Sequence, residues 1–242
     1  MFRSRVGVLS WVVAISFLLG SALVLLDQLN VFATPPDLPE STNLVDRMEG
    51  MAAYRQAIWP IFLWENILFA VGFVAAAAFA WSVAAASGGT RGLPVFTALA
   101  TAGGIIAAIA SIIPIGAVEA SVWQLYCDCG FKETEIVAGV WAQQVAEAVG
   151  MWLARGGSVI LAVALLALVR ERRALLSPTL RMWTYLTALA LVLWPLLAIT
   201  EVLGDPAGEQ WVTLIAGAIL VPVWAVWLGR SVEAGGPESP TA

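Results

Sequence analysis

Six apolar runs dominate this chain, at 7–26, 58–85, 93–118, 137–169, 183–203 and 211–229. A helix needs about 20 residues to cross the roughly 30 Å of hydrocarbon in a bilayer, and every run is long enough. Lipid supplies no hydrogen-bond partners, so each run must satisfy its own backbone as a helix. The pattern predicts an all-α polytopic membrane helical bundle with six transmembrane helices. Composition agrees, because 60% of the 242 residues are hydrophobic and only 12% are charged, about half the usual charged share of a soluble domain. One membrane domain over 1–230 and a disordered tail at 231–242 are expected, and no soluble domain is added.

Loops fall at 27–57, 86–92, 119–136, 170–182 and 204–210, and the basic residues orient them. With the N-terminus inside, Arg3, Arg5, Arg91, Arg170, Arg172, Arg173, Arg181 and Arg230 gather on one side. Only Arg47, Arg55 and Lys132 fall opposite, and Arg155 lies within a span. Acids such as Asp27, Asp37, Glu119, Asp128 and Glu209 collect on the arginine-poor side. Both termini are therefore expected in the cytoplasm. The start MFRSR, the first apolar run and VFA at 31–33 offer a second reading, a signal peptide cut after Ala33. That run exceeds the 7–15 residues or so of a signal core, which favours an uncleaved span.

The first outer loop opens with Pro35, Pro36 and Pro39, which hold it extended or turned. After an N-cap candidate at Ser41 or Thr42, Leu44, Met48, Met51 and Ala52 recur at helical spacing. A short amphipathic helix on the outer surface is the expected result.

Polar groups within the spans narrow where a function lies. The segment WAQQVAEAVGMWLARGG at 141–157 carries Gln143, Gln144, Glu147 and Arg155. The first three fall at or above the outer hydrocarbon edge, near Val149, whereas Arg155 lies about 9 Å below it. A central Arg costs about 2.5–3.5 kcal/mol on insertion scales, so it calls for a carboxylate, water or headgroups. Glu65 lies six residues past Trp59 on the second span, at the same depth of about 9 Å. Pairing of Glu65 with Arg155 is expected, with Asn66 or Gln144 adding hydrogen bonds. A structural pair fixing helix register, an Arg155 that snorkels to headgroups, and a ligand-binding cavity all fit this placement. Glu119 and Glu201 end the third and fifth spans, and with Glu65 and Glu147 they would rim an outward, electronegative vestibule that attracts cations. Acids at outer helix ends also follow from topology alone.

Cys127 and Cys129, the only cysteines, lie in YCDCGF in the second outer loop, at 119–136. A strained local disulfide, an intermolecular bridge and free thiols all fit a C-x-C pair, and strained exposed disulfides are the redox-labile ones. Metal binding at this pair lacks ligands, since the chain has no histidine. The absence of His also excludes His-ligated haem, zinc-protease motifs and Ser-His catalysis. The single lysine, Lys132, sits in a loop, which removes an intramembrane Schiff base. With a pI near 4.7 and no basic stripe, nucleic acid is not an expected partner. No cofactor is expected, and the bilayer is the certain partner class, with a membrane protein or a second copy as candidates. Ala100, Gly104 and Ala108 form a small-xxx-small packing stripe, while Pro114, Pro195 and Pro222 are expected to kink their helices.

The full-length layout resembles a group of uncharacterised six-helix bacterial integral membrane proteins. The residues that carry it are STNLVDRMEGMAAYR in the first outer loop, IGAVEA at the end of the third span, and RERRALLSPTLRMW before the fifth. The resemblance implies architecture and a bacterial cell membrane, and it brings no activity with it. Three functions fit the residues. The first is a transport-like or sensory protein whose pocket of Glu65, Asn66, Gln144, Glu147 and Arg155 binds a small polar or cationic ligand. The second is a non-catalytic membrane partner or assembly subunit. The third is an extracytoplasmic thiol-redox protein working at Cys127 and Cys129. A non-enzymatic role is favoured.

Overall fold

The computed structural model describes residues 2–34, 44–87, 93–126, 133–173, 176–202 and 207–234. Cys127, Cys129 and the tail beyond Ala234 lie outside this set, as do the side chains of Leu44, Met48, Met51, Ala52 and Glu201. The helices are α1 (Phe2–Gln28), α2 (Leu44–Ala86), α3 (Pro94–Tyr126), α4 (Glu133–Glu171), α5 (Pro178–Val202), α6 (Ala207–Ile215) and α7 (Val221–Glu233). A π-helical turn, Ala216–Leu220, joins α6 to α7. Six stretches are long and apolar enough to cross a membrane: Arg5–Gln28, Gln56–Ala86, Pro94–Glu119, Val137–Glu171, Pro178–Leu197 and Trp211–Glu233. The protein is a multi-pass membrane helical protein.

Two elements differ in detail from what periodicity suggests. The helix of the first outer loop is continuous with the second span, giving one 43-residue helix with Pro60 inside it. The amphipathic segment carries no proline before Pro60, so the helical ladder propagates through Gly50 into the apolar run. The sixth span is interrupted by the π-turn, where the Val221 N–H donates to the Ala216 carbonyl five residues back. Pro222 follows at once; it has no N–H, and its ring would meet the carbonyl four residues earlier. Widening the turn relieves that clash, as π-bulges do.

Both termini lie at one end of the bundle, hereafter the termini end. Gly7 of α1 lies against the Glu233 side chain of α7 there. The Glu171 carboxylate accepts hydrogen bonds from the Val95 and Phe96 amides at 3.1 and 3.2 Å, capping the start of α3 with the end of α4. Arg172 donates to the Ser87 carbonyl at 3.0 Å and ties α4 to the end of α2. An acid at a helix N-terminus and a base on a chain-end carbonyl are both favourable to the helix dipoles.

Small residues bring α3 close to both neighbours. A Cβ on Gly103 would lie 2.9 Å from the Gly157 carbonyl oxygen, and one on Gly157 equally close to that of Gly103. Such contact is the small-residue packing of membrane helices. The expected stripe of Ala100, Gly104 and Ala108 turns toward α2: Ala100 and Ala108 are buried, and Gly104 abuts the Phe73 carbonyl. The half of the bundle nearer the termini is filled by Phe79, Phe96, Leu168, Leu180, Trp224 and Leu228, with a small void of about 50 Å³ beside Phe79, Phe96 and Trp224. Phe79 and Trp224 meet edge to face at 6.0 Å, and the Trp224 indole donates to Thr184 across α5 at 3.1 Å. The other half holds the two larger interior cavities.

Candidate functional site

Four residues at the middle of the bundle separate two cavities: Glu65 and Asn66 of α2, Pro114 of α3 and Met151 of α4. All four line both spaces. On the side away from the termini lies a chamber of about 450 Å³, walled further by Asp27, Tyr54, Ile58, Phe62, Val118 and Glu147. Beyond the partition lies an inner cavity of about 270 Å³.

The inner cavity is apolar and aromatic. Phe17 stands edge-on to Phe69 and Phe73, at 5.8 and 5.0 Å between ring centroids, and Trp194 lines the opposite side from α5. Its two serines turn their hydroxyls away: Ser111 donates to the Ala107 carbonyl, and Ser158 to those of Arg155 and Leu191. Ala216, Gly217 and Val221 close the wall from the π-turn and α7. A Cβ on Gly217 would run into the buried Ser21 hydroxyl of α1, which is how the backbone comes to form this part of the wall.

The outer chamber is acidic. Asp27 lies near the end of α1, just before a turn in which Asn30 adopts φ 51°. The Asn30 N–H bonds to the Asp27 carbonyl and the Val31 N–H to that of Leu26, a Schellman stop. A carboxylate in the last turn opposes the helix dipole, and here it accepts a hydrogen bond from Tyr54. Burial, the neighbouring Asp27 charge and that bond together push the Tyr54 phenol above its ordinary value of 10.0. Gln143 is 3% exposed and donates to the Glu147 carboxylate at 2.6 Å, fixing it one turn away on α4. Asn66 bonds back to the Phe62 carbonyl of its own helix at 2.8 Å.

Among the residues singled out by sequence, Glu65, Asn66 and Glu147 therefore share one chamber. Arg155 lines neither cavity. It is 7% exposed, with its guanidinium over the Trp152 ring at 4.9 Å. Gln144 is exposed, and its neighbour Gln143 is the glutamine that turns inward. Glu119 is exposed at the end of the third span. Asp27 and Tyr54 were not marked as site residues by spacing, although an acid ending the first apolar run was a usable signal. Among the described residues, no basic side chain lines either cavity. Among the described residues, no three His, Cys, Asp or Glu side chains are grouped to hold a metal ion. Comparisons with protein-family models, curated proteins and solved structures gave no match.

Proposed function

We propose that the protein is a transport-like or sensory membrane protein that binds an amphiphilic organic cation, its charged head in the outer chamber and its apolar body in the inner cavity. The observation that carries this reading is the shared partition. A carboxylate, Glu65, faces both an acidic chamber, with no basic side chain among its described lining residues, and an aromatic cavity. Carboxylates focus a negative potential that draws cations in. The rings of Phe17, Phe69, Phe73 and Trp194 line the inner cavity and suit the ligand's apolar body, each aromatic side chain offering a large apolar contact surface. The three acids are not grouped as metal ligands, which favours a larger cation over a bare ion. Together the cavities have the size and mostly apolar lining of small-molecule sites. Arg155, stacked on Trp152, serves as a structural anchor of α4 in this reading.

The test is thermal stability of the purified protein with benzyltrimethylammonium, set against tert-butylbenzoate, an anion of similar bulk. The cation is expected to raise the melting temperature in a saturable way, and Glu65→Gln to abolish the rise. Equal stabilisation by the anion, or none by the cation, would sink the proposal.

A further inference from the structure

The arginine run at the termini end divides into two kinds of residue. Glu171 and Arg172 are spent on the backbone of α3 and of the α2 end, as described above. Arg173 is exposed and stands at the mouth of a separate groove of about 390 Å³ along α5. Arg181 lines the same groove, and its buried Nε–H has no acceptor. Below the arginines the groove continues over Met182, Tyr185, Leu186 and Leu189, all exposed on one face of α5. Their spacing of three and four residues makes a continuous stripe, and Leu189 lies about 12 Å deeper than Arg181 along the helix. Among the described residues, no acidic side chain lines the groove. The α5 span also has the smallest buried share of the six.

We propose that this groove is a binding site for an anionic phospholipid of the leaflet at the termini end. The phosphodiester sits between the guanidinium groups of Arg173 and Arg181. Planar guanidinium forks match phosphate oxygens well. The Tyr185 hydroxyl, one turn below, lies at the level of the glycerol esters, where tyrosine favours the interface. An acyl chain follows Met182, Leu186 and Leu189. Free phosphate would use the arginines and leave the stripe without a role, whereas a zwitterionic lipid would bring its own ammonium against two guanidinium groups. Charge and shape together select the anionic lipid.

The full chain in dodecylmaltoside, titrated with phosphatidylglycerol, phosphatidylcholine or inorganic phosphate, tests this by melting temperature and by lipid retained in native mass spectrometry. Phosphatidylglycerol is expected to stabilise the protein and remain bound. At about 1 kcal/mol per basic residue near an anionic membrane surface, Arg173→Gln with Arg181→Gln weakens that binding roughly 30-fold. Arg230→Gln, at the same end but outside the groove, leaves it unchanged. Should the double variant fail to fold, Arg173→Gln alone alters only an exposed side chain and still weakens binding about fivefold. The proposal is overturned if the arginine variants bind phosphatidylglycerol as wild type does, or if phosphatidylcholine binds as tightly. Equal stabilisation by inorganic phosphate overturns it too, and marks a simple anion site.

Discussion

Single residues decide how the acidic chamber works, and Glu65 is the one on which the functional reading depends. Depth counting placed Glu65 and Arg155 at one level, but depth does not fix azimuth. The structure turns Glu65 into two cavities, while Arg155 stacks on Trp152 and lines neither. If Glu65 is the counter-charge for a ligand, its energetic coupling to Arg155 is small. A double-mutant cycle with Glu65→Gln and Arg155→Met, read by unfolding in detergent, is expected to give a coupling below about 1 kcal/mol. A coupling of about 3 kcal/mol or more would mean that the carboxylate is already neutralised by a buried partner. Gln143 and Gln144 show the same limit of sequence. Adjacent positions differ by about 100° around a helix, and which one faces inward depends on how neighbouring helices pack. Tyr54 offers a separate check. Its raised phenol value means that its proton-linked stabilisation is complete below pH 10.0 and is lost as pH rises through the raised value. Tyr54→Phe is therefore expected to cost about 1 kcal/mol or less at neutral pH, given partial solvent screening, and to flatten the alkaline loss of stability.

At the level of helices, the apolar runs made the spans legible because lipid allows the backbone few alternatives. Less legible was which small residues meet which neighbour. Gly103 and Gly104 are adjacent, yet one abuts α4 and the other α2. Gly156 and Gly157 make the distinction testable. Gly157→Ala places a methyl against the Gly103 carbonyl at 2.9 Å, where backbone must shift, and a loss of about 1–3 kcal/mol is expected. A Cβ on Gly156 meets nothing within 4 Å, so Gly156→Ala is expected to gain about 0.5–1 kcal/mol from helix propensity. Chemical denaturation of the two variants checks both signs at once. If they lose equal stability, the close α3–α4 crossing is wrong. The π-turn before Pro222 belongs to the same class of feature: the proline predicts a disturbance, and only packing selects a widened turn over a kink.

Across the whole molecule, the two halves of the bundle differ in filling, and this difference predicts how water and reagents reach the interior. Phe79, Phe96, Leu168 and Trp224 fill the termini half, whereas the chamber around Asp27, Tyr54 and Glu147 leads through the Glu65 partition toward Ser158. Sequence expressed this only as charge asymmetry, with arginines at one end and acids at the other. It carried no sign of a central void, because the residues around the inner cavity are as apolar as those that fill the core. Access is therefore the measurement that joins topology to site. With Cys127 and Cys129 replaced by serine, single cysteines at Tyr54, Ser158 and Ala84 sample the outer chamber, the inner cavity and the filled half in turn. In sealed, right-side-out membranes, an impermeant cationic thiol reagent is expected to label Tyr54→Cys fast and Ser158→Cys slowly, and not to label Ala84→Cys. A cationic ligand with its head in the outer chamber and its body in the inner cavity should slow labelling of both Tyr54→Cys and Ser158→Cys. Failure of the reagent to label Tyr54→Cys in sealed membranes, with labelling restored when they are opened, would invert the orientation drawn from the arginines. Equal rates at Tyr54→Cys and Ser158→Cys would remove the partition, and with it the reason for assigning the ligand's head and body to separate chambers.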